Sequence, residues 1–205
     1  MNNPDDAIGP PWLVQAVLRL LLRPASQESV PGDLLEEYRK SILPVSGTTR
    51  ANLWYARQVA GFLWRISWPW GVLVGAQVVI RTLCDTFAPP ITYGPRSAIT
   101  TWVAVATFLL AGCQAAYRTG HTRSGILVAL TAHAMGHLVA IVLTGILFLS
   151  VIQNDPRMLR LFRVTGDWGE VLVLPIMLLP IVATLGGLGG MLGKSIRWTN
   201  AAVSP

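Results

Sequence analysis

Charge is scarce in this chain, and scarcest after residue 65. Of its 205 residues, 13% are Asp, Glu, Lys or Arg, against about 25% in a typical soluble domain. Four long stretches, 66–83, 98–117, 125–152 and 171–191, contain no acidic residue, and their one basic residue is Arg81. Such runs exclude a water-solvated surface for the back two-thirds of the chain. Cysteine is nearly absent as well. Cys84 and Cys113 are the only two, which excludes a disulfide framework and a cysteine-rich metal cage. Nor is there a basic run, so the net charge of +6 does not make a nucleic-acid footprint. No Ser/His/Asp, Cys/His or paired-carboxylate constellation stands out, which argues against an enzyme.

What the chain does have is length in its apolar runs. A helix rises about 1.5 Å per residue, so roughly 20 apolar residues cross a hydrocarbon core of about 30 Å. The four stretches meet that requirement. The expectation is an all-α, integral membrane four-helix bundle preceded by an N-terminal cytoplasmic domain of short helices. Its divisions are a helical domain over 1–64, four spans over 65–193 and a short polar tail over 194–205.

The front of the chain reads as short amphipathic helices. Trp12, Leu13, Ala16, Val17, Leu20 and Leu21 recur at three- and four-residue spacing and share one face. Pro24 stops this helix. A second holds Leu34, Leu35, Tyr38 and Ile42 on its apolar side, with acids early and Arg39 and Lys40 late, as the helix dipole favours. Pro44 and Gly47 are expected to end it. A third starts at Thr48 or Thr49 and runs into the first span, with a kink at Pro69. Trp64, Trp68, Trp70 and Arg65 mark the membrane boundary.

Between spans, 85–96 carries Pro89, Pro90 and Pro95 and reads as extended. The run 118–123 is a tight link, which makes spans two and three antiparallel neighbours. In the third loop, Met158, Leu159, Leu161 and Phe162 alternate with Arg157, Arg160 and Arg163, the pattern of a short helix on the membrane surface. Asp167 and Glu170 are placed to cap the last span. The basic residues divide unevenly between the two sides. Arg39, Lys40, Arg50, Arg57, Arg65, Arg118, Arg123, Lys194 and Arg197 fall on the side of the N-terminus. Arg81, Arg96, Arg157, Arg160 and Arg163 fall on the other. The positive-inside rule then places both termini in the cytoplasm and Cys84 near the outer face.

Three blocks carry a family resemblance. They are Pro11-Trp12 followed by Leu18-Arg19-Leu20-Leu21-Leu22, then Gly32-Asp33-Leu34-Leu35-Glu36-Glu37-Tyr38, then Trp54-Tyr55-Ala56-Arg57-Gln58-Val59. In this order and spacing the segment 11–65, about a quarter of the chain, resembles permease prefix domain 2. That domain precedes some bacterial ABC permeases of the macrolide-exporter type. The resemblance implies a cytoplasmic helical module before a membrane domain, in a bacterial inner membrane, with an ABC permease or a second copy of the chain as partner. It implies no catalytic activity. Those permeases also carry a large extracytoplasmic domain, for which the short loops here leave no room. Asp33, Glu36, Glu37, Tyr38 and Arg57 are the candidate partner-binding residues. The plainer reading of their charges is a solvated helix face.

Inside the expected spans the polar residues are few. His133 and His137 stand four apart on one face of span three, beside the small stripe Ala132, Gly136 and Ala140. Thr107 and Gln114, with Thr100, Ala104 and Ala111, form a small and polar face on span two. Gly186, Gly187, Gly189 and Gly190 lie on span four. Packing of spans two, three and four along these faces is the simplest arrangement. The glycine run could also be a hinge or a lipid-facing weak point, and has no phosphate-binding context. Histidines at such depth suggest a metal ligand, a haem ligand or a proton relay. A zinc site needs a third and fourth ligand, and Cys113 is the one soft candidate. Hydrogen bonds from the histidines to Thr or Gln on neighbouring helices are the plainer expectation, with no metal and no cofactor.

The composite expectation is a multi-pass accessory or regulatory membrane protein, non-enzymatic, with the lipid bilayer as solvent. The rival is a small transporter or channel with a path near His133, His137 and Gln114. A metal-dependent membrane enzyme is a third, weaker option.

Overall fold

The computed structural model describes residues 9–26, 28–87, 93–164, 168 and 172–203. Among them there is no strand, and the chain is all-α. Among the described residues the α-helices with settled bounds are, in order, α1 (Trp12–Leu21), α2 (Ser29–Glu37), α3 (Leu43–Phe87), α4 (Tyr93–Thr119), α5 (Thr122–Ser150), α6 (Pro156–Val164) and α7 (Leu174–Val203). Three of them, within α4, α5 and α7, are long and apolar enough to cross a membrane. The first expected span is the C-terminal part of α3.

α3 has 45 residues, and only Gly47 leaves helical dihedral space, at φ 72°. Glycine adopts that conformation without a Cβ penalty, so the break falls immediately before Thr48, where the sequence reading begins the third helix. Pro44, expected to end the second helix, does not. A π-helical turn over Tyr38–Ile42 joins α2 to α3, and Pro44 follows inside the helix. A proline ring conflicts with the carbonyl four residues back, and the wider i→i+5 turn at this point relaxes that conflict. Pro69, where a kink was expected, lies inside α3.

The N-terminal module closes around Leu18, Leu22, Tyr38, Ala51, Tyr55 and Val59. Tyr38 and Tyr55 meet edge to face with centroids 5.9 Å apart, and the Tyr38 hydroxyl donates to Asn52 Oδ1 at 2.7 Å. The module also abuts the bundle. Pro24 and the Arg197 guanidinium both lie against Gly120, which makes the tight α4–α5 turn at φ 81°.

In the bundle, α4 and α5 form an antiparallel pair. α7 packs on both, and α3 packs chiefly on α5 and also on α4. One apolar cluster joins all four through Val74, Phe108, Ala129, Ala132 and Val182. The glycine run of α7 is a packing seam rather than a hinge. A Cβ on Gly186 would stand 2.8 Å from the Gly125 carbonyl oxygen, and one on Gly190 would stand 2.6 Å from that of Thr122. Cβ atoms on Gly189 and Gly193 would collide with the carbonyls of Leu109 and Cys113. Side chains of hydrogen alone let the backbones approach this closely.

Two local expectations change. Residues 85–87 and 93–96 are helical rather than extended; Pro95 fits because it lies in the first turn of α4, where a missing N–H costs nothing. The expected polar tail is instead the end of α7, helical through Val203, since neither Gly nor Pro follows Gly193 before Pro205. The short helix of the third loop forms as expected, with Asp155 Oδ1 accepting from the Arg157 backbone N–H at 2.8 Å. Asp167, Glu170, Pro89 and Pro90 lie outside the described residues.

Candidate functional site: polar groups within the bundle

α5 places His133 and His137 one turn apart, with ring centroids 4.2 Å from each other and planes at 79°. His133 is buried and His137 half-buried. The Phe108 ring of α4 meets His133 at 5.8 Å. His133 Nε2 lies 3.1 Å from the carbonyl oxygen of Pro175, in the first turn of α7. A carbonyl only accepts, so Nε2 carries the proton in this contact. The expected Thr or Gln partner is thus replaced by backbone. The first-turn carbonyl of α7 is within reach, whereas the Thr and Gln side chains of α4 are directed elsewhere.

Their direction is toward α3. Thr107 Oγ1 accepts from Gln77 Nε2 at 2.8 Å and donates to the Val103 carbonyl at 2.8 Å. Gln114 Oε1 accepts from the Trp70 indole N–H at 2.8 Å. Four candidates therefore divide into three separate places: the histidine pair beside α7, Thr107 with Gln77, and Gln114 with Trp70. Sequence reasoning missed Gln77, whose signal was available: a lone amide between apolar neighbours in the first expected span. It also assigned Trp70 to the membrane boundary with Trp64 and Trp68. Those two are exposed, but Trp70 is half-buried, and a buried indole N–H needs an acceptor.

The small stripe of α5 also faces another neighbour than expected. Gly136 receives Val74 of α3, whereas α7 meets α5 through Gly125 and Ala129. Nearer the module, the Thr119 and Ser124 hydroxyls pair at 2.7 Å, and the His121 backbone N–H donates to Thr119 Oγ1 at 3.2 Å. This ties the two ends of the α4–α5 turn together.

Among the described residues no three His, Cys, Asp or Glu side chains converge as a metal set. Cys113 stands on the α7 side of α4, against Gly189 and Gly193. It is more than a helical turn from Phe108, the α4 residue that touches His133.

The candidate partner-binding residues also separate. Asp33, Glu36, Glu37 and Arg57 are exposed, but Tyr38 is fully buried and belongs to the module core. Glu36 pairs with Lys40 one turn on, at 2.5 Å. The hydrogen bond from Lys40, with its positive charge, holds the Glu36 carboxyl below the usual range. Burial pushes the phenols of Tyr38 and Tyr55 up. Comparison of the chain with family models, with curated proteins and with solved structures finds no match in any of the three.

Proposed function

We propose that this chain is an integral membrane protein of four spans, with the C-terminal part of α3 as the first and both termini in the cytoplasm. In this reading it is a non-enzymatic accessory or regulatory component of a bacterial inner-membrane assembly associated with ABC-type export. One observation carries the reading. Three polar contacts join helices within the bundle, Gln77 to Thr107, Trp70 to Gln114 and His133 to Pro175, while α4, α5 and α7 touch backbone to backbone at Gly112, Gly125 and Gly186. Such an interior is built to be rigid, and a polar path needs groups free to exchange partners. The module then reaches the bundle by two routes, the unbroken helix after Gly47 and the contact at Gly120. A partner held by the module could act on the bundle through either. The outward apolar residues Val72, Leu73, Ile80 and Leu83 of α3 support its place in lipid. The resemblance of 11–65 to permease prefix domain 2 supports a permease-type partner.

Recovery of the tagged full chain in mild detergent tests the reading. A polytopic membrane protein should co-purify in fixed ratio, and the ratio should fall when Asp33, Glu36, Glu37 and Arg57 are changed together to Ser. Consistent recovery of the chain alone would refute it. The edge-to-face histidines, with ring centroids 4.2 Å apart, favour the second reading, a transporter or channel. Reconstituted protein should then show flux that His133→Ala/His137→Ala abolishes. Flux unaffected by the pair of changes dismisses that path.

A further inference from the structure

Five basic residues lie at the end of the bundle remote from the module, and the structure sorts them into two kinds. Arg81 and Arg96 both pair with Asp85, at 3.4 and 3.7 Å, and Arg96 also donates to the Cys84 carbonyl. The other three, Arg157, Arg160 and Arg163, are on α6 and exposed. Among the described residues, no ion pair involves any of them. Positions three apart on a helix step back by about 60°, so the three guanidiniums occupy an arc of about 120°. The opposite side of α6 carries Met158, Leu159 and Phe162, all half-buried. Phe162 packs 5.5 Å from Phe148 of α5 and 6.1 Å from Trp168. The helix is thereby fixed to the end of an apolar span, with its cationic arc turned away from the protein.

We propose that α6 is a docking surface for phospholipids with a net negative headgroup. Charge complementarity selects the occupant. Three guanidiniums at three-residue spacing match the phosphates of adjacent headgroups, and an amphipathic helix of this kind lies at the boundary of headgroups and acyl chains. The inference rests on the membrane reading above and goes beyond it. It also explains why three arginines tolerate the side opposite the module, where the positive-inside rule disfavours them. Each basic side chain near an anionic surface contributes roughly a fivefold gain in binding, so three together contribute on the order of 100-fold.

The test reconstitutes the full chain into vesicles of phosphatidylcholine with phosphatidylglycerol, extracts it in mild detergent and measures retained lipid per chain by mass spectrometry. Wild type should retain phosphatidylglycerol in preference to phosphatidylcholine, and less of it in 0.5 M salt. Arg157→Gln/Arg160→Gln/Arg163→Gln should lose the preference, and the three corresponding Arg→Lys changes should keep most of it. Equal retention by the Gln variant overturns the proposal. So does displacement by inorganic phosphate, which would mark a free-anion site. Should the Gln variant fail to fold, the Lys variant and the salt dependence of wild type decide the matter: indifference to salt overturns it. Alkaline extraction of wild type separates the two readings. Protein released from the vesicles by carbonate defeats the membrane reading itself. Protein retained in them without lipid preference defeats only the proposal.

Discussion

Replacing Gly189 with Ala tests the seam between α4 and α7 most directly. The added Cβ would stand 2.9 Å from the Leu109 carbonyl carbon and 3.0 Å from the Cys113 nitrogen, with the Leu109 oxygen closer still. Ordinary contact begins at 3.4 Å. The obstacles are backbone atoms of a packed helix, which cannot rotate aside as a side chain can. The two helices must separate by well over half an ångström, because the Leu109 carbon at 2.9 Å already falls short of 3.4 Å and its oxygen is nearer. Overpacking of this kind costs about 2–3 kcal/mol, and Ala returns about 1 kcal/mol of helix propensity. The net loss is about 1–2 kcal/mol. For a chain of this length that lowers Tm by roughly 2–8 °C. Cys113 lies on the seam and is half-buried, so it reports the separation. In a Cys84→Ser background, a thiol-reactive dye should label Cys113 faster in the Gly189→Ala variant, and thermal scans in detergent should shift downward. Gly145, which has nothing within 4 Å of its built Cβ, is the control, and Gly145→Ala should leave Cys113 labelling unchanged. An unchanged or raised Tm for Gly189→Ala, with unchanged labelling, refutes the backbone-contact account.

Three further outcomes follow from the same contacts. In a double-mutant cycle, Gln77→Leu and Thr107→Val should couple by about 0.6 kcal/mol, and by no more than about 1.7; additive losses would show that the 2.8 Å bond contributes nothing. Gly120→Ala should destabilise by about 1–2 kcal/mol, because φ 81° penalises a Cβ and the new atom would displace Arg197. Trypsin should then cut faster after Arg19, in α1 of the module, and unchanged cleavage would mean that this turn does not hold the module. Burial raises the folded-state pKa of Tyr38 and Tyr55, so the stability tied to their neutral phenols is present below the unfolded value of about 10 and lost as pH rises through the folded values. Melting of the full chain in detergent should fall steeply above about pH 10, and less steeply in Tyr38→Phe/Tyr55→Phe; parallel curves would contradict the burial argument.

Much of this architecture was legible because it is local. Apolar runs gave α4 and α5 nearly their full extent and α7 only its first part, and Gly120 marked the turn between the first two. Alternation of Met158, Leu159 and Phe162 with arginines marked α6. Glycine spacing in α7 indicated a close-packed face, which it is. The continuity of α3 was less legible. Pro44 read as a break, but a π-helical turn accommodates it; the run through Pro69 into the first span was read as one helix, and it is one. Among the candidate site residues, burial of Tyr38 was predictable from its place beside Leu34, Leu35 and Ile42, and its charged neighbours drew attention to the wrong face. Gln77 and Trp70 went unrecognised as partners because nothing local links residues 30 and 44 positions away from Thr107 and Gln114.

Composition and periodicity by themselves determined that the chain is helical, where its apolar lengths lie and which helix is amphipathic, since each depends on a residue and its neighbours within a few turns. Tertiary structure alone decided which polar groups meet. The height and rotation at which helices lock are set by backbone approach at Gly112, Gly125 and Gly186, and that register directs His133 to a carbonyl of α7, and Thr107 and Gln114 to α3.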